Sequence, residues 1–145
     1  MIPIHKSESK RIHSLARFVT PEAIALILTV PVEDIREIRC WQRVILVIGR
    51  NFSRFVSYAD LPPILGGLPT ARDFVTWRKR WRKHNYKAPS FWQQFYTQKL
   101  SQAESIAELS AWKRLIDAIA NVLDSTVLQA LRSLYFAEYQ ACLHV

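Results

Sequence analysis

The chain has 145 residues, half of them hydrophobic, and 20 Lys/Arg against 12 Asp/Glu give it a formal charge of +8. Five tryptophans with only three glycines exclude a disordered tail and point to one globular domain, which at this length buries roughly two-thirds of its unfolded surface. The opening MIPIHKSESK is followed by no h-region, and the longest uncharged apolar run, AIALILTVPV, has ten residues, so neither a signal peptide nor a spanning helix is expected.

In chain order, SESKRIHSLARFV reads as a short helix, with Ile12, Leu15, Ala16 and Val19 at helical spacing. TPEAIALIL begins a second helix, with Thr20 as N-cap and Pro21 at the first helical position, where a missing N–H costs nothing. RVILVIG is short and rich in β-branched residues, GRN makes a turn, and FSRFVSYA alternates back as a second strand. These define a β-hairpin over 41–58 with Arg50 and Arg54 at its tip. DLPPILGGLP, with three prolines and two glycines, is a loop. It places a connection at 60–69 between an N-terminal part and a helical C-terminal half, 71–143, within a single domain.

That half opens on a helix over about 71–84, with Thr70 and Asp73 as a capping box. Ser90 with Gln93 and Ser101 with Glu104 suggest further boxes before FWQQFYTQKL and before a helix over 102–123. Ile106, Leu109, Leu115, Ile116, Ile119 and Val122 form an apolar face on the latter. Asp124 or Ser125 caps a last helix, 126–143. Val127, Leu128, Leu131, Leu134, Tyr135, Phe136, Tyr139 and Leu143 occupy so much of its circumference that it is expected either to sit centrally or to form a homodimer contact.

Within PEAIALILTVPVEDIREI, the series Ile24-Ala25, Leu28, Val30, Ile35 and Ile38 resembles the helix-turn-helix pattern, in which a small residue lets two helices approach. With 32–39 helical, the order of helices and hairpin resembles a winged helix and puts Arg50 and Arg54 on the wing. Thr29 stands where such a turn often has glycine. Glu33, Asp34 and Glu37 make the second helix a poor surface for phosphates, which assigns the motif to packing or protein contact. DIREIRCW enters the hairpin as strand equally well, so 32–39 stays open between helix and strand.

The charge is concentrated. Residues 71–87 carry seven basic and one acidic side chain, against nine and six in 1–70 and four and five in 88–145. On a helical wheel Phe74, Trp77 and Trp81 fall within about 60°, while Arg72, Lys79 and Lys83 cluster opposite within about 40° and Arg78 and Arg82 flank the rings. The aromatic stripe is expected to be buried, which removes it from a membrane surface, and the basic face to be exposed. No acid stands four residues from Lys79, Arg80 or Lys83, and Lys79 repels Lys83 across one turn. Stability gains little from such a face, whereas phosphate contact uses it directly.

The expected binding residues are therefore Arg72, Arg78, Lys79, Arg80, Arg82, Lys83, Tyr86 and Lys87, joined by Arg50 and Arg54. Tyr86 is suited to stacking on a base or bonding a phosphate. His5, His13, His84 and His144 are scattered, with His84 read as a partly buried polar tip. Cys40 and Cys142 lack metal spacing and read as buried thiols. ILGGLP has no Lys-Ser/Thr after its glycines, and no nucleophile elbow is present. The sequence thus leads to a predominantly helical α+β protein, cytoplasmic and non-catalytic, with no cofactor, metal or membrane. Its expected partner is nucleic acid. The alternative is an adaptor or inhibitor that docks an acidic protein surface.

Overall fold

A computed structural model describes residues 2–6, 13–81 and 88–144. The fold is α+β and predominantly helical. It divides into two compact units, Met1–Pro62 and Pro63–Val145, and the division falls inside the Pro/Gly-rich segment.

The N-terminal unit is built on a four-stranded sheet. Strands β1 (Ile4–Lys6), β2 (Ile35–Cys40), β3 (Ile45–Gly49) and β4 (Phe52–Val56) lie side by side in chain order. β1 runs parallel to β2, and the remaining pairs are antiparallel. A parallel neighbour needs a long crossover. Here it carries a 3-10 turn, Ser14–Phe18, and helix α1 (Pro21–Leu28). As expected, Thr20 caps α1, its hydroxyl accepting from the Ala23 N–H at 3.2 Å. The helix ends at Thr29, which takes the left-handed conformation at φ 59°. Leu15, Phe18, Ala23, Ile24 and Leu28 are buried, as are Ile38, Cys40, Ile45, Val47 and Val56 of the sheet.

The hairpin forms as read, with Asn51 at φ 78° supplying the left-handed residue of its two-residue turn. Gly49 faces Phe52 across the hairpin, and a Cβ at Gly49 would stand 2.0 Å from that ring. The aromatic ring thus occupies the space that only a glycine leaves.

The winged-helix expectation is corrected here. Residues 35–40 are strand, preceded by only a 3-10 turn at Val32–Asp34, so no second helix follows α1. The spacing of Ile35 and Ile38 looked helical because β2 carries a bulge. Ile35 pairs with Gly49 but Glu37 already pairs with Ile48, so two steps on β2 match one on β3. The extra residue brings Ile35 and Ile38, three apart, onto one buried face. β1 was not foreseen, since three residues ending in His5 and Lys6 show no apolar alternation.

The C-terminal unit comprises α2 (Ala71–Trp81), α3 (Ala88–Gln102), α4 (Ile106–Ala118) and α5 (Ser125–Leu143). Its centre is α3, whose Phe91, Trp92, Phe95, Tyr96 and Leu100 are buried and which packs against both α4 and α5. The Tyr96 hydroxyl donates to the Pro63 carbonyl at 2.7 Å, and burial raises its pKa well above the ordinary phenol.

Two cap positions differ from expectation. α3 starts at Ala88, so Ser90 is already inside it; a proline at position 89 suits a first turn. α3 also runs through Ser101 to Gln102, and α4 begins one turn later. Its cap is Ser105, accepting from the Glu108 N–H at 3.1 Å, while Glu108 reaches back to the Glu104 N–H. Both S-x-x-E pairs fit the box, and burial of Leu100 keeps α3 helical past the first one.

The last helix is not central. Leu131 is its one buried residue among those described, while Phe136 and Leu143 are exposed. Its apolar side faces α3 and α4, and Gln129, Ala130, Ser133, Ala137, Gln140 and Ala141 occupy the other side. Phe136 and Leu143, counted in the expected apolar circumference, border that other side and stay in solvent.

Candidate functional site

The basic helix starts where Thr70 and Asp73 cap it reciprocally. The Asp73 carboxylate accepts from the Thr70 N–H at 2.9 Å, and the Thr70 hydroxyl accepts from the Asp73 N–H at 3.3 Å. Asp73 is 1% exposed. The one acid of the 71–87 segment is thereby used up inside the fold, beside the positive end of the helix dipole.

Trp77 sets the rotation of α2. It is fully buried, edge-on to Trp92 at 5.1 Å and to Phe74 at 5.6 Å between centroids. Phe74 is half-buried. This orientation turns Arg72, Arg78, Lys79 and Arg80 outward, and all four are exposed. Among the described residues no acid pairs with them. Arg78, Lys79 and Arg80 lie in the last turn, where the helix dipole favours cations. Arg72 lies in the first turn and has no such gain. Val75, 60% exposed, sits among these charges.

The remaining expected residues divide. The side chain of Trp81, and Arg82, Lys83, His84, Tyr86 and Lys87, lie outside the described residues. Arg50 and Arg54 belong to the N-terminal unit. Arg50 is exposed in the β3–β4 turn. Arg54 donates to the Leu28 carbonyl at 3.4 Å, so its guanidinium caps the C-terminal end of α1.

The cysteines also differ from each other. Cys40 is buried and Cys142 half-buried. Burial raises the Cys40 thiol pKa and, with the neighbouring thiol, that of Tyr58. Both therefore stay protonated at neutral pH. The Tyr58 hydroxyl donates to the Trp41 carbonyl, and its ring stacks on His13 at 4.0 Å. Among the described residues no three His, Cys, Asp or Glu side chains could hold a metal ion. Nor is any described helix long and apolar enough to cross a membrane.

Sequence reading overlooked the solvent side of the sheet. Phe55 and Trp41 are exposed there, their centroids 5.8 Å apart. Strand parity was the available signal: Phe55 precedes the inward Val56, and Trp41 follows the inward Cys40. No family model, curated protein or solved structure matches this chain.

Proposed function

We propose that the protein is a non-catalytic cytoplasmic binding or regulatory protein that associates with nucleic acid through the basic face of α2. The observation that carries this reading is Arg72, Arg78, Lys79 and Arg80, all exposed, beside an acid that capping has withdrawn. Each phosphate neutralised releases a counterion, so affinity is electrostatic and insensitive to base sequence. Four such contacts weaken binding on the order of 100-fold between about 50 and 200 mM salt. Fluorescence anisotropy over a salt series tests it. Arg72→Glu with Lys79→Glu weakens binding and flattens the salt slope while leaving the thermal melt in place.

A second reading has its own observation. Val75 in the middle of the charges, with Leu68 exposed just before the helix, gives a phosphate backbone nothing. Both suit an acidic protein surface with an apolar residue at its centre. This adaptor reading requires no binding to DNA or RNA at about 50 mM salt, and loss of a protein partner in the same charge reversals. Self-association through α5 belongs to the proposal as well, because Phe136 and Leu143, seven residues apart, remain exposed on one side of the helix. Light scattering of the native chain and of Phe136→Ser distinguishes a dimer from a monomer.

A further inference from the structure

Strand register places His5, Arg39, Leu46 and Phe55 in one row across the four strands of the N-terminal sheet. Adjacent strands stand about 4.8 Å apart, which puts Arg39 roughly 10 Å from Phe55. Trp41, two residues beyond Arg39, lies on the same side and touches Phe55, with the rings tilted 57°. Phe55 is 61% exposed and Trp41 44%. The sheet's buried side is already filled by Ile38, Ile45, Val47 and Val56. An exposed ring on edge strand β4 adds little to that core and invites edge-to-edge association.

Arg39 is balanced by Glu37 on the same face, so the net positive charge beside the rings comes from Arg43. Arg43 is exposed in the turn after Trp41, while Glu33 and Asp34 lie at the other end of β2. Glu37, the acid on the ring side, is held by the Arg39 guanidinium at 2.8 Å, and that hydrogen bond lowers its pKa. A flat surface with two solvent-facing aromatic rings and the exposed Arg43 at one end matches a polyanion whose own apolar parts are flat rings. We infer that the outer face of this sheet is a stacking platform for single-stranded nucleic acid, with bases on Phe55 and Trp41 and phosphates toward Arg43. Stacking needs an open ring face and no pocket, and tolerates any base. The platform is independent of the α2 reading, since it rests on a different unit and on stacking.

The test uses the full chain and a labelled single-stranded oligothymidine of about ten nucleotides, within the usual range of single-strand site sizes. Phe55→Ala and Trp41→Ala each weaken binding by about 5- to 100-fold, and the dependence of affinity on salt keeps its slope. Phe55→Leu, which retains apolar area without a π-face, loses affinity like Phe55→Ala, and Phe55→Trp retains it. Circular dichroism confirms that each variant is folded. Should one not fold, the native chain decides: the oligonucleotide quenches tryptophan emission, and Trp41→Phe removes that quench while keeping affinity. Unchanged affinity in Phe55→Ala, full affinity in Phe55→Leu, or no Trp41 quench overturns the platform. So does a shift from dimer to monomer in Phe55→Ala, which would assign the face to a second copy. Silent sheet variants alongside an α2 charge reversal that abolishes binding would remove the platform and leave the α2 reading standing.

Discussion

The two units use aromatic residues in opposite ways. In Met1–Pro62 the core is mostly aliphatic, and Trp41 and Phe55 stand in solvent. In Pro63–Val145 the core holds two groups of rings, Trp77 edge-on to Trp92, and Phe95 edge-on to both Tyr96 and Trp112. Charge follows the same division. The helical unit buries its rings under α2 and exposes Arg72, Arg78, Lys79 and Arg80, whereas the sheet unit presents rings and arginines on one surface. A tryptophan beside arginines therefore has no fixed meaning. Whether it is core or contact depends on which side of its element the fold covers.

The largest effect that tests this contrast is in the helical unit. Trp77→Ala costs about 3–5 kcal/mol, because a fully buried ring leaves a cavity between Phe74 and Trp92. Thermal or denaturant unfolding measures it, and a shift below about 1 kcal/mol would mean that the ring core is not what holds α2. The equivalent position in the sheet unit is Gly49. Gly49→Ala costs about 1–3 kcal/mol by driving a methyl into the Phe52 ring. Combining it with Phe52→Ala in a double-mutant cycle recovers part of the loss, and strict additivity would show that the two are not coupled.

Acid sharpens the comparison further. Burial alone would raise the Asp117 pKa, but hydrogen bonds from Lys113 and Arg132 outweigh it and hold the carboxyl below its ordinary 3.8. A lowered folded-state pKa contributes stability above the unfolded value, and that contribution is lost as pH falls through the folded one. The helical unit therefore weakens below about pH 4 through this group. Because the partners are a third or more exposed, the effect stays within about 1 kcal/mol. Asp117→Asn flattens that part of the pH–stability profile, and an unchanged slope would remove the network from the account. The smallest change is Phe55→Ala. With its ring mostly in solvent it moves stability by no more than about 0.5 kcal/mol, so a melting temperature shift comparable to that of Trp77→Ala would contradict its exposure.

Much of the local structure was legible in the residues. Thr20-Pro21, Thr70 with Asp73, and the Gly49–Phe52 turn each satisfy backbone groups within a few residues, so the chemistry of the start or turn is written where it acts. The same holds for the buried side of α2, since Phe74 and Trp77 share a stripe whatever lies against it. Ser101 and Ser105 show the limit of such local signals. Each begins an S-x-x-E box, and only the packing of Leu100 decides which one opens a helix.

By itself the sequence determined the elements whose hydrogen bonds close locally, the α+β class, the hairpin and the concentration of charge on α2. Tertiary structure alone decided the rest. Residues 35–40 became strand because β1 and β3 satisfy their backbone groups from either side, and a bulge turned helical spacing into a sheet face. α3 rather than α5 took the centre, burying the adjacent bulky pairs Phe91–Trp92 and Phe95–Tyr96 where the described part of α5 buries Leu131. Trp41 and Phe55 met only when two strands came into register, and contact between residues 14 positions apart is absent from any local pattern. Pairing across a sheet and packing between helices join groups distant in the chain, which is why composition locates the charge but not the rings that meet on the sheet.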